Sequence, residues 1–101
     1  MDEVIVKFSK KGKSKYLSHL DLLRQFQRSI RRAEIPVKLT QGFTPRMKLS
    51  INPAVKLGVE SEGLEARFIL TEKLDAKEIE SRLKNELPLE LVIEEVKSDY
   101  V

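Results

Sequence analysis

Four arginines, Arg24, Arg28, Arg31 and Arg32, fall within a single short stretch of the chain. At about 100° per residue they share one helical arc of about 100°, opposite Leu23, Phe26 and Ile30. A guanidinium stays charged at any working pH and offers a planar fork of donors that suits phosphate oxygens. Arg24, Arg28 and Arg32 are spaced by four, so they repel one another along a helix, and only Asp21 on the same arc opposes that. Two readings follow: a phosphate-binding face, or a solvated face neutralised by an acidic loop elsewhere in the fold.

A second group lies in Gln41-Gly-Phe-Thr-Pro-Arg-Met-Lys48. Gly42 supplies backbone freedom. Phe43 places an aromatic ring beside Arg46 and Lys48, the mixture that stacks and steers single-stranded nucleic acid. The alternative is that Phe43 folds back to plug the core while Pro45 stiffens the turn. Lys10, Lys11, Lys13 and Lys15 add positive charge in an earlier turn, with no guarantee of one continuous patch.

The single histidine, His19, is the weak candidate for catalysis. A histidine titrates near neutral pH and could work as acid or base on a phosphodiester. The competing reading is a half-buried, hydrogen-bonded histidine at a helix start. Ser18 beside it makes no dyad, because adjacent helical residues point apart. No glycine-rich phosphate motif is present, and no metal site is expected.

The elements that must hold these groups follow from periodicity. Val4, Val6 and Phe8 alternate with Glu3, Lys7 and Ser9, a strand interrupted by Ile5. Ser18 caps a helix whose apolar face is Leu20, Leu22, Leu23, Phe26, Ile30 and Ala33, and Pro36 stops it. Pro36 to Thr40 reads as a strand, Gln41 to Arg46 as a loop and Met47 to Asn52 as a strand. Leu57 to Gly63 is an acidic loop and Leu64 to Thr71 a strand. Asp75 with Glu78 forms a capping box for a second helix with a Leu74, Ile79, Leu83, Leu87 stripe, ended by Pro88. Leu89, Leu91 and Ile93 alternate with Glu90 and Glu94 as the last strand. Each helix has one apolar stripe, so both are expected on one face of an antiparallel sheet. The expected fold is α+β, a ferredoxin-like βαββαβ sandwich with an additional strand or hairpin.

Composition bounds the rest. The 101 residues make one domain, 1–101, with 41% hydrophobic and 35% charged residues. Without cysteine there can be no disulfide, thiolate nucleophile or cysteine-held iron–sulfur cluster. No apolar run long enough to span a bilayer and no export leader occurs, so a cytoplasmic domain without membrane contact is expected. Charge divides along the chain: residues 1–56 carry 13 Lys and Arg against 4 Asp and Glu, and residues 57–101 carry 6 against 12. A basic half of this kind suits an anionic partner, and phosphate is the usual one.

The segments Phe8-Ser-Lys10, Tyr16-Leu-Ser-His-Leu-Asp21, Arg28-Ser-Ile-Arg-Arg-Ala-Glu-Ile-Pro36, Gln41-Gly-Phe-Thr-Pro45 and Leu57-Gly-Val-Glu-Ser-Glu62, taken in order, resemble the radical-SAM-linked domain of unknown function. Members of that family occur in bacteria, fused to or encoded beside radical SAM proteins, and some neighbour ribonuclease and ribosomal-protein genes. They are usually longer, which implies a piece or short form here. Their Gly-Phe-x-Pro loop often continues with histidine and proline, whereas Arg46 and Met47 stand here, which argues against histidine chemistry at that loop. The resemblance implies an accessory domain that binds RNA or another phosphate-bearing ligand for a radical SAM partner. Its alternatives are a protein-interaction module docking on that partner, or a metal-independent RNA-processing enzyme using His19. No cofactor is expected in this chain.

Overall fold

The computed structural model describes residues 2–100. Its elements are β1 (Asp2–Lys10), a 3₁₀ turn (Gly12–Tyr16), α1 (His19–Arg32), β2 (Leu49–Asn52), β3 (Ser61–Ile69), α2 (Ala76–Glu86) and β4 (Leu91–Tyr100). The class is α+β: two α-helices and one four-stranded sheet in the order β2-β3-β1-β4, every neighbouring pair antiparallel. The chain passes from β1 to β2 through α1 and from β3 to β4 through α2, each time leaving one strand between the two it joins.

Alternation sets the sheet's two faces. Val4, Val6 and Phe8 of β1 are buried, with Leu64, Ala66 and Phe68 of β3, Ile51 of β2 and Leu91 and Ile93 of β4. Leu22, Phe26 and Ile30 of α1 and Ile79 and Leu83 of α2 complete the same cluster, so both helices cover one sheet face. The Phe8 and Phe26 rings meet at a 4.6 Å centroid separation, tilted by 48°. Burying side chains of this size contributes about 1.5–3 kcal/mol each. Ile5, the exception to the alternation, is half-buried on the opposite face.

Several expected elements change on folding. Pro36 to Thr40 is not a strand; it makes two isolated bridges, Val37 to Leu70 and Leu39 to Met47. The additional element is therefore a hairpin-like excursion, residues 36–48, and the sheet has four strands among the described residues. β3 begins at Ser61, so part of the acidic loop is strand. β4 starts at Leu91 and runs to Tyr100, which leaves Leu89 exposed in the preceding turn. Leu20 is also exposed, at the border of the apolar face of α1. The Asp75–Glu78 capping box does not form: Asp75 occupies the cap position without a side-chain bond. The Glu78 carboxylate instead accepts from Arg82 Nε at 2.9 Å, one turn further on.

The antiparallel ladders give the molecule two ends. One gathers the start of β1, the end of β3, the start of α2, the end of α1 and the 36–48 excursion. Leu70 N–H donates to Asp2 O at 2.9 Å, Lys38 N–H to Ile69 O at 2.7 Å and Thr71 N–H to Pro36 O at 2.8 Å. The other gathers the end of β1, the 3₁₀ turn, the start of α1, the start of β4 and the 53–60 segment. There Lys11 N–H donates to Glu90 O at 2.9 Å and Gly58 N–H to Lys15 O at 2.6 Å. Among the described residues no helix is long and apolar enough to cross a membrane.

Candidate functional site

α1 is a helix because its apolar residues recur on one face and its ends are capped. Ser18 Oγ accepts from Asp21 N–H at 3.1 Å, and Asp21 puts a carboxylate in the first turn, where the dipole favours it. At the other end Glu34 N–H donates to Arg31 O at 3.1 Å and Ile35 N–H to Ile30 O at 3.2 Å, a Schellman closure. Glu34 sits there at φ 56°, the left-handed region that glycine usually fills. The helix therefore stops before Pro36 is reached.

This geometry leaves Arg24, Arg28, Arg31 and Arg32 all exposed on one face. Among the described residues none of them makes an ion pair or a side-chain hydrogen bond. Arg31 and Arg32 gain from the negative end of the helix dipole. Arg24 and Arg28 have no such compensation. Arg24, Arg28 and Arg32 climb the helix at about 6 Å per step.

Gly42, Phe43, Arg46 and Lys48 lie in the 36–48 excursion, which leaves α1 just beyond Arg32 and so stands at the end of the molecule where that helix terminates. All four are exposed. Phe43 is at 109% relative exposure, so it does not fold back onto the core. Gly42 takes φ 134°, inaccessible to most side chains. The Arg46 and Lys48 side chains have no partner among the described residues.

The basic turn belongs to the opposite end. Lys10 is fully buried: its Nζ donates to Leu17 O at 3.1 Å and to Lys56 O at 3.0 Å. It therefore adds nothing to a surface patch. Desolvation with no carboxylate beside it pushes its ammonium below the ordinary lysine value of 10.5. Gly12 N–H donates to Glu60 at 2.8 Å, and Lys15 Nζ lies 5.2 Å from the Tyr16 ring centroid. The acidic loop is thus anchored to the 3₁₀ turn and not to the arginines. His19 is half-buried at this end, where its Nδ1 accepts from Val55 N–H at 3.3 Å.

Sequence reasoning missed this latch of Lys10, Gly12 and Glu60. Lys10, Leu17 and Glu60 come from the segments Phe8–Lys10, Tyr16–Asp21 and Leu57–Glu62, while Gly12 and Lys56 lie just outside them. The available signal was that these motif segments sit at strand and helix boundaries, where distant loops meet.

The uncovered sheet face is a lattice of alternating charge. Arg67 pairs with Glu65 at 3.0 Å and Glu3 at 3.7 Å, and Lys7 and Lys97 pair with Glu95 at 3.9 and 3.8 Å. Phe8 and Phe68 point inward, so β1 and β3 offer no aromatic platform there. A surface depression of about 820 Å³ lies at the start of α2 between Leu70 and Ala76 and includes none of the arginines, His19 or the Gly42–Lys48 residues.

Fold and surface together define a small α+β domain with one latched end and one cationic helix face. The chain belongs to the family described as "Uncharacterized protein conserved in bacteria (DUF2344)", whose model matches residues 3–99. No curated protein and no solved structure matches it.

Proposed function

We propose that this domain is an accessory module that binds RNA through Arg24, Arg28, Arg31 and Arg32 and presents it to a radical SAM partner. The observation that carries the reading is the unpaired state of that exposed face while the acidic loop, the neutraliser the sequence offers, is held by Gly12 at the other end of the molecule. Like charges at i and i+4 cost a helix about 0.2–0.5 kcal/mol per pair, a cost that a bound polyanion reverses. The partner would supply the cluster chemistry that a chain without cysteine cannot. The strand order and the two crossovers favour assigning the ferredoxin-like sandwich, here carrying the 36–48 excursion.

The test is retention of a mixed cellular RNA pool by the purified domain at low and at physiological salt. Retention should fall steeply with salt, and Arg28→Ala should weaken it evenly across sequences. Each lost phosphate contact should reduce the slope of log K against log salt by about 0.7–0.9. Salt-insensitive retention, or none at low salt, removes the reading.

A second reading, a protein-docking module, is favoured by exposed Phe43 and by Leu39 at 49% exposure. It expects association with the radical SAM protein to survive loss of the arginines. Glu60→Lys is a poor probe of it, because Glu60 anchors the chain's own turn; Glu62, exposed on β3, is the better one. The enzymatic reading needs His19 to exchange protons, and its engagement with Val55 N–H favours a positioning role instead.

A further inference from the structure

We infer that Phe43 is a base-stacking residue that makes the domain select unpaired RNA over duplex, an inference that rests on the RNA reading above. Full exposure of a phenylalanine exchanges apolar burial for contact with water, which a soluble domain tolerates at isolated positions. Its presentation is what separates Phe43 from a stray surface ring. The root of the excursion is tied on both sides. Thr40 N–H donates to Arg46 O at 2.5 Å, Arg46 N–H to Thr40 Oγ1 at 2.9 Å, and Lys48 N–H to Lys38 O at 3.1 Å. Lys38 N–H in turn holds Ile69 O of β3. Only Gln41 to Pro45 projects beyond these ties, with the ring near its apex and Gly42 and Pro45 shaping the turn.

The surroundings favour a nucleobase over a protein pocket. No Asp or Glu occurs from residue 35 to residue 59, and Arg46 and Lys48 follow the ring closely. The immediate neighbours, Gln41, Gly42, Thr44, Pro45 and Arg46, form no apolar rim of the kind that surrounds a buried protein anchor. A base needs only one π-face, and its phosphates find the two cations. In a duplex both faces of each base are already stacked, so the ring gains nothing there. Elsewhere the surface offers little competition: the open sheet face is ion-paired, and Tyr16 lies at the far end against Lys15.

The chain contains no tryptophan, so Phe43→Trp creates a lone reporter at the proposed contact. The experiment is fluorescence anisotropy with an end-labelled single-stranded oligoribonucleotide and with its duplex, against wild type, Phe43→Ala, Phe43→Trp and Arg28→Ala. Wild type should prefer the single strand. Phe43→Ala should lose about tenfold or more on the single strand, little on the duplex, and keep its salt slope and melting temperature. Phe43→Trp should keep the preference, and single-stranded RNA should quench its emission. Equal binding of strand and duplex, with Phe43→Ala neutral and Arg28→Ala weakened, overturns this inference and leaves the phosphate reading standing. Binding of neither probe overturns both.

Discussion

The two ends of this domain spend positive charge differently. At the end of β1, Lys10 is buried and shared between two carbonyl oxygens, Lys15 lies against Tyr16, and the acidic loop is anchored by Glu60 to Gly12. Those groups are occupied by the chain itself. Along α1 toward the opposite end, four arginines stand on one face without carboxylate partners, and an uncovered phenylalanine projects from a tied root. Both regions are basic in sequence. The difference teaches that a cluster of cations points to an external anion only to the extent that the fold has not already used it: the arginine end keeps four such cations on one helix face, whereas at the other end Lys10 and Lys15 are used and only Lys11, Lys13 and Lys56 stay unpaired.

Substitutions can break or sharpen this contrast. The largest effect is expected from Lys10→Met, which keeps the stem but strips donors from Leu17 O and Lys56 O. It should cost about 1–3 kcal/mol in urea unfolding. Because the folded pKa of Lys10 lies below 10.5, the unfolded chain holds that proton more tightly across the interval between the two values. Stability from this residue therefore rises with pH through that interval, and the deficit of Lys10→Met should widen from neutral pH toward pH ~10. A deficit that shrinks would show that the latch depends on the charge. Next comes Glu34→Gly at the arginine end, which relieves the left-handed strain at φ 56° and should gain about 1 kcal/mol in the same measurement. Glu60→Ala removes an exposed tie to Gly12 and should cost only about 0.5 kcal/mol. Smallest is Arg28→Ala, which should leave the melting temperature unchanged or raise stability by a few tenths of a kcal/mol, roughly the repulsion it relieves. A loss of about 1 kcal/mol there would mean that the arginine face serves the fold and would erase the contrast.

Much of the frame was legible in the chain. The period of α1 put Arg24, Arg28, Arg31 and Arg32 on one arc, and alternation placed Val4, Val6 and Phe8 inward, because both signals are local. Ser18 as cap was legible for the same reason. Pro36 to Thr40 misled because its alternation is that of a strand, yet Val37 bridges Leu70 while Leu39 bridges Met47, two different segments, so no continuous ladder forms. Asp75 and Glu78 had the spacing of a capping box, but Arg82 competes for Glu78 one turn later. The latch was illegible: a lysine among lysines reads as surface, and Lys10 is made a core residue by Leu17 and, far along the chain, Lys56. His19 gave the same difficulty, since Val55, its partner, lies 36 positions away. The exposure of Phe43 was a matter of alternatives until the root of its excursion was seen to be tied.

Burial of Lys10 has a consequence for chemical labelling. Acylating reagents attack neutral, accessible amines, and the lowered pKa of Lys10 by itself favours its neutral, reactive form. Its enclosure overrides that advantage, since no reagent reaches Nζ while Leu17 and Lys56 hold it. Its acylation rate, read by peptide mass spectrometry against Lys11 and Lys13 on the same turn, thus becomes a clock for how often the 53–60 segment lifts away from the end of β1.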